Sequence, residues 1–204
     1  MRDLLDAVGR QRLSLGEYDA DFYTTVESTD GPVLKTERMQ TFREPGSPSW
    51  EAYADGRWEE ALRIAAEPNP ELVAFFEHLD QLGSGLRRLR IVELPLTPYL
   101  VWELNFLRYR AEAGEQIRVL DARVVREWEA TAGPVPELMV VGGQAVYEVL
   151  YDASGVPVGA EKTVEPAVVA GCRSRVLSLL EQAEPFESFF RREVDGTRPG
   201  LPQL

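Results

Sequence analysis

The sequence predicts an α/β fold, with an α+β arrangement as the alternative. A helical N-terminal portion packs on a mixed sheet that carries a βαβ unit, a β-meander and a C-terminal helix. Three observations lead there. Residues 86–122 read strand, helix, strand with short joints, the pattern of a parallel pair. Residues 136–162 hold three apolar runs divided by turn signals at Gly142-Gly143 and Ser154-Gly155, as a meander requires. Residues 47–83 carry two helix-start signatures, each a capping residue followed by proline.

Taken in order, "MRDLLDAVGRQRLSLGEYDADFY" mixes charged and apolar residues too evenly for a signal peptide. A strand is predicted over 33–42, with Lys35, Glu37 and Met39 on one face and Thr36, Arg38 and Gln40 on the other. "SPSWEAY" offers Ser47 as N-cap and Pro48 at the first helical position, and a second run after Gly56 aligns Trp58, Ala61, Leu62 and Ala65. Asn69 and Pro70 repeat the signal for a helix striped by Leu72, Phe75, Phe76 and Leu79 and ended by Gly83. "LRRLRIVEL" is a strand, "TPYLVWELNFLRYRAEAG" a helix capped by Thr97 and stopped at Gly114, and "EQIRVLDA" the next strand. After the meander, Val168, Val169, Cys172, Val176, Leu179 and Leu180 fall at helical spacing before Pro185. A boundary near Gly83 to Gly85 divides a portion 1–85 from an α/β portion 86–194, the two packing as one module, and 195–204 has the composition of a loose tail.

Composition removes several function classes. At 204 residues a core forms without staples. A lone Cys172 excludes an intramolecular disulfide and a multi-cysteine zinc site, which points to a reduced, cytoplasmic setting. A lone His78, set between phenylalanines and leucine on a helix, reads as a structural residue and excludes a histidine-rich metal site. Neither a membrane span nor a nucleotide-binding fingerprint is present, so no cofactor is expected. The net charge of −12 opposes direct nucleic-acid binding and suits a basic protein partner. Arg88 and Arg90 share one face of their strand and read as structural.

The blocks "LKTERMQTFREPGSPSWEAYADGRWEEAL", "RIVELPLTPYLVWELNFLRYRAEAGEQIRVL" and "PELMVVGGQAVYEVLYDASGVPVGAEKT" resemble the actinobacterial proteins grouped as the DUF6879 family, a domain of unknown function. The resemblance runs from about Val33 to about Val194 and implies one continuous module. It carries no catalytic motif; what it implies is the company of helix-turn-helix regulators. The α/β portion also resembles the half-domain of the phospholipase D fold, which other bacterial regulators use without catalysis. The phosphodiesterase signature, His-x-Lys followed by an Asp, has no match in this chain, so that resemblance implies fold and not activity.

Glu103 is the sharpest chemical signal, because its neighbours one helical turn away are Tyr99, Leu100, Phe106 and Leu107. A carboxylate on an apolar stripe needs a partner or a proton. Arg118 and Arg38 are the candidate partners. A strand at 33–42 with Lys35, Glu37, Arg38 and Gln40 is either a wet edge or the wall of a polar pocket, roofed by Trp50 and Trp58 and lined also by Tyr99 and Tyr151. Three readings follow. The first is a non-catalytic cytoplasmic adaptor that binds a helix-turn-helix regulator, with small-ligand control. The second is an enzyme using Glu103 as acid or base beside Lys35, Arg38 and Arg118. The third is an antitoxin-like neutralising partner.

Overall fold

The computed structural model describes residues 1–29 and 31–198; from 199 onward the expected tail lies outside the described residues. The chain forms α1 (Arg2–Leu5), β1 (Gln11–Ser14), α2 (Leu15–Glu27), β2 (Val33–Glu37), α3 (Pro48–Ala54), α4 (Trp58–Ala65) and α5 (Pro70–Gln81). It continues with β3 (Leu86–Val92), α6 (Pro98–Glu112), β4 (Gln116–Asp121), α7 (Arg126–Ala132), β5 (Leu138–Val141), β6 (Ala145–Tyr151), β7 (Pro157–Thr163), α8 (Pro166–Gln182), β8 (Glu184–Pro185) and α9 (Phe186–Glu193). Among the described residues, the strands join one eight-stranded sheet in the order β1-β7-β6-β5-β2-β3-β4-β8. Strands β2, β3 and β4 run parallel, and the remaining pairs are antiparallel. The predicted mixed α/β class, the βαβ unit (β3-α6-β4) and the meander (β5-β6-β7) are all present.

The helices begin where side chains can satisfy the free N–H groups of the first turn. Ser47 Oγ accepts from Trp50 N, Asn69 Oδ1 from Leu72 N at 2.9 Å, and Thr97 Oγ1 from Leu100 N at 3.1 Å. Each cap is followed by proline at the first helical position. Three apolar clusters then fix the layers. Leu89 and Ile91 of β3, with Leu34, Leu120 and Val140, meet Val169, Cys172 and Val176 of α8 on one face. On the other, Val92, Ile117 and Val119 pack on α6, which is itself covered by α3 and α4, while Val33, Leu86 and Val141 pack beneath α2 and α5.

Several details differ from expectation, among them β8 and α9, which follow the last helix that was expected. Strand β2 ends at Glu37 and not at residue 42, because the next two amides leave the ladder: Arg38 N and Met39 N donate to the Glu137 carboxylate at 3.0 and 2.8 Å. Of the two readings of this strand, wet edge or pocket wall, the edge is excluded, since β2 is enclosed by β5 and β3. The N-terminal portion supplies a second strand, β1, whose single buried residue, Leu13, is too weak a signal to read as alternation. Helix α7 likewise has no buried residue and so no apolar stripe to announce it. Among the described residues, no helix is long and apolar enough to cross a membrane.

Candidate functional site

Strand alternation and helix spacing bring one set of charged side chains together. On the α6-facing side of the sheet, β2 presents Val33, Lys35 and Glu37, and β3 presents Leu86, Arg88, Arg90 and Val92. Val33 and Leu86 belong to one apolar cluster and Val92 to another, so the charges occupy the seam between the two. Above them, Tyr99, Glu103, Leu107 and Arg110 form a stripe along α6 at intervals of three or four residues. The resulting pocket of about 270 Å³ is closed laterally by Phe42, Phe106, Tyr151 and Pro157, with Arg43 and Glu44 also on its wall.

The carboxylates of Glu37, Glu103 and Glu115 are buried, as are Arg88 and Arg90 of β3. Glu37 takes Lys35 Nζ at 2.7 Å on one oxygen and Arg88 Nη1 on the other. Arg88 Nε reaches Glu115 at 2.6 Å, and Arg110 closes the far side of that carboxylate. Arg90, wholly buried, gives Nε to Glu103 at 2.8 Å and Nη1 to the backbone oxygen of Glu37 at 3.1 Å, while its Nη2 has no partner among the described residues. The Tyr99 hydroxyl donates to Glu44 at 2.5 Å and lies 3.4 Å from Glu103. Removing charges from water costs several kcal/mol per ion after relaxation, so a pocket floor of this kind requires each buried charge to meet an opposite one.

Protonation follows from burial and neighbours. Burial alone raises the Glu37 carboxyl, but the guanidinium of Arg88 and the ammonium of Lys35 outweigh it and hold Glu37 below the usual carboxylate range. For Glu103 the balance reverses: burial, reinforced by the carboxylates of Glu37 and Glu44, pushes its pKa up to about 7 against the pull of Arg90. Glu44 is raised by burial, with the Tyr99 hydrogen bond opposing. Two neighbouring acids thus ionise in different ranges, the arrangement that lets one site hold both a fixed charge and a proton.

The family model described as a domain of unknown function, DUF6879, matches residues 20–191. The chain belongs to the DUF6879 family. No curated protein matches this DUF6879 chain. Among solved structures it is similar to TrmBL2, an archaeal chromatin protein described as showing a novel mode of DNA binding. That likeness is 12% identical, covers 87% of this chain and 52% of that one, and has a TM-score of 0.46. The chain therefore spans about half of TrmBL2. It is also similar to Nuc, a phospholipase D family member from Salmonella typhimurium, at 9% identity over 87% of this chain and 98% of that one, with a TM-score of 0.46.

Of the residues singled out in the sequence, Lys35, Glu37, Tyr99, Glu103 and Tyr151 line the DUF6879 pocket. The others lie elsewhere. Arg118 is not the partner of Glu103: it sits opposite Leu89 in the register, on the α8 side of the sheet, and donates to the Ala183 carbonyl at 2.9 Å. Nor is Arg38, which lies past the end of β2 and pairs with Glu129 at 2.7 Å and Glu93 at 2.8 Å. Gln40 ties the segment after β2 to the end of β3, donating to the Ile91 carbonyl at 3.0 Å and accepting from Glu93 N at 2.7 Å. Trp50 is buried in the α3–α6 cluster and Trp58 packs half-buried beside it, so neither roofs the pocket. Arg88 and Arg90, read as merely structural, are the cations that organise the floor. Their signal was visible as two arginines at i and i+2 inside an apolar strand. Arg43, Glu44 and Glu115 come from loops, where no periodicity marks direction, whereas Arg110 was readable at helical spacing from Glu103 and Leu107 and was missed.

Proposed function

We propose that this DUF6879 chain is a non-catalytic regulatory module, acting in the cytoplasm, which holds a small polar ligand in the pocket and engages a basic protein partner such as a helix-turn-helix regulator. The observation that carries this reading is the placement of Lys35, Glu37, Arg88, Arg90 and Glu103 in a seam flanked by apolar side chains on the same sheet face. Apolar residues of similar volume would stabilise such a seam at least as well, so fold stability alone gives no reason for the charges. Aromatic walls around a few convergent polar groups are what small-ligand sites require. The partner side rests on the net charge of −12 and on the family resemblance. Neither the exposed His78, 2.7 Å from Glu27, nor the buried Cys172 lines the pocket, so the usual nucleophile and base pairs are not assembled there.

Native mass spectrometry of the protein isolated gently from its own cells tests both halves of the reading. A co-purified basic polypeptide supports the adaptor role, and a bound small molecule supports the pocket role. A bare chain argues against tight constitutive binding of either kind. One observation favours an enzymatic alternative: Glu103, with a pKa of about 7, has the range of a general acid or base. Turnover lost in Glu103→Gln with the fold intact would establish that alternative.

A further inference from the structure

Donors and acceptors around the pocket are unequal in number. Glu37 is occupied by Lys35 and Arg88, Glu115 by Arg88 and Arg110, Glu103 by Arg90, and Glu44 by the Tyr99 hydroxyl. The cations are less committed. The Arg43 guanidinium meets no carboxylate or carbonyl among the described residues, and that residue's only hydrogen bond is from its backbone N–H to Gly155. Arg110 uses Nε alone, and Lys35, with a side chain 27% exposed, spends one contact on Glu37. Four cations, Lys35, Arg43, Arg88 and Arg110, line the pocket against three carboxylates, Glu37, Glu44 and Glu103, in a chain whose net charge is −12. A local excess of positive charge in an acidic protein focuses small anions onto one place.

We propose that the pocket takes a compact organic oxyanion, a carboxylate or phosphate monoester, whose charged end meets Arg43 and Lys35 and whose body lies against Phe42, Phe106 and Tyr151. This deepens the ligand reading given above and rests on it. Guanidinium groups match both oxyanions through paired N–H donors. A volume of about 270 Å³ suits a body of about one ring. An amine would find both oxygens of Glu37 already taken, and its charge would face the uncommitted arginine.

Titration calorimetry of the full chain with benzoate, phenyl phosphate, inorganic phosphate, benzylamine and phenol tests the assignment. Benzoate or phenyl phosphate should bind, phenyl phosphate more tightly than inorganic phosphate, and benzylamine should not. Arg43→Ala should weaken anion binding by about tenfold or more, the worth of one charge-assisted hydrogen bond, with the urea midpoint unchanged because the side chain has no hydrogen-bond or ion-pair partner among the described residues. Phe106→Ala should weaken phenyl phosphate while leaving inorganic phosphate unaffected. Tighter binding of benzylamine or phenol than of either organic anion overturns the oxyanion assignment and leaves the ligand reading standing, as does anion binding that ignores Arg43→Ala. Failure of all five probes overturns the assignment together with the ligand reading behind it.

Discussion

Arg90 is the residue on which the pocket floor turns. Its side chain is fully buried, and without it Glu103 would face only Tyr99 and two other carboxylates. Arg90→Ala should destabilise the protein by about 3–5 kcal/mol in urea unfolding, the usual consequence of stranding one buried charge, while the double change Arg90→Met with Glu103→Leu should recover most of that loss. Acidity gives a second check. Glu103 has a folded pKa of about 7 against 4.5 for an ordinary glutamate, and Glu137, buried and held only by backbone amides, is likewise raised to about 7. A carboxyl with a raised folded value contributes stability that is complete below about pH 4.5 and is lost as pH climbs through 7. Glu37 acts in the opposite sense, but its folded value lies below the ordinary range and its contribution fades only in more acid solution. The midpoint of urea unfolding should therefore fall between pH 5 and pH 7.5, and Glu103→Gln should flatten that slope.

Individual elements hang on a few groups as well. Thr97 caps α6 through Leu100 N and also donates its hydroxyl to the Gln40 carbonyl at 2.7 Å, tying the helix to the segment after β2. Thr97→Ala should cost about 1–2 kcal/mol and Thr97→Ser much less, read from chemical denaturation. Gly159 plays the corresponding part for β1. Its φ is +140°, and a Cβ there would come within 2.1 Å of the Leu13 carbonyl oxygen. Gly159→Ala should release β1 and raise amide exchange at residues 11–14 without disturbing β3 or β4.

What the sequence disclosed at this scale follows the same physics. Caps such as Ser47, Asn69 and Thr97 are local chemistry and therefore readable, as are the turn glycines that divide the meander. Glu103 stood out because a carboxylate on an apolar stripe violates a local rule. Its partner did not, because Arg90 and Arg118 look alike along the chain, and only strand parity and register put the first beneath α6 and the second beneath α8. The order of strands was hidden for a related reason: nothing in residues 33–37 says that β5, a hundred residues later, will lie beside them.

At the scale of the whole molecule, β2 joins the two stretches divided near Gly83 to Gly85. It is hydrogen-bonded to β3 on one side and β5 on the other. Residues 86–198 made alone would leave both of those strands with an open edge and the charges of Arg88 without Glu37. That fragment should be unfolded or aggregated by circular dichroism, and the intact chain should unfold in one transition, with tryptophan fluorescence and far-ultraviolet ellipticity coinciding.

The central position of β2 also has a meaning in time. During synthesis the segment emerges long before either of its neighbours, and closing the sheet must wait for residues 138–141. An apolar segment kept waiting with two bare edges would be an invitation to mispairing between nascent chains. Lys35 and Glu37, awkward guests once enclosed, are good company in that interval, since charge on an unpaired strand discourages the wrong neighbour. The pocket's polarity thus protects the chain before there is a pocket at all.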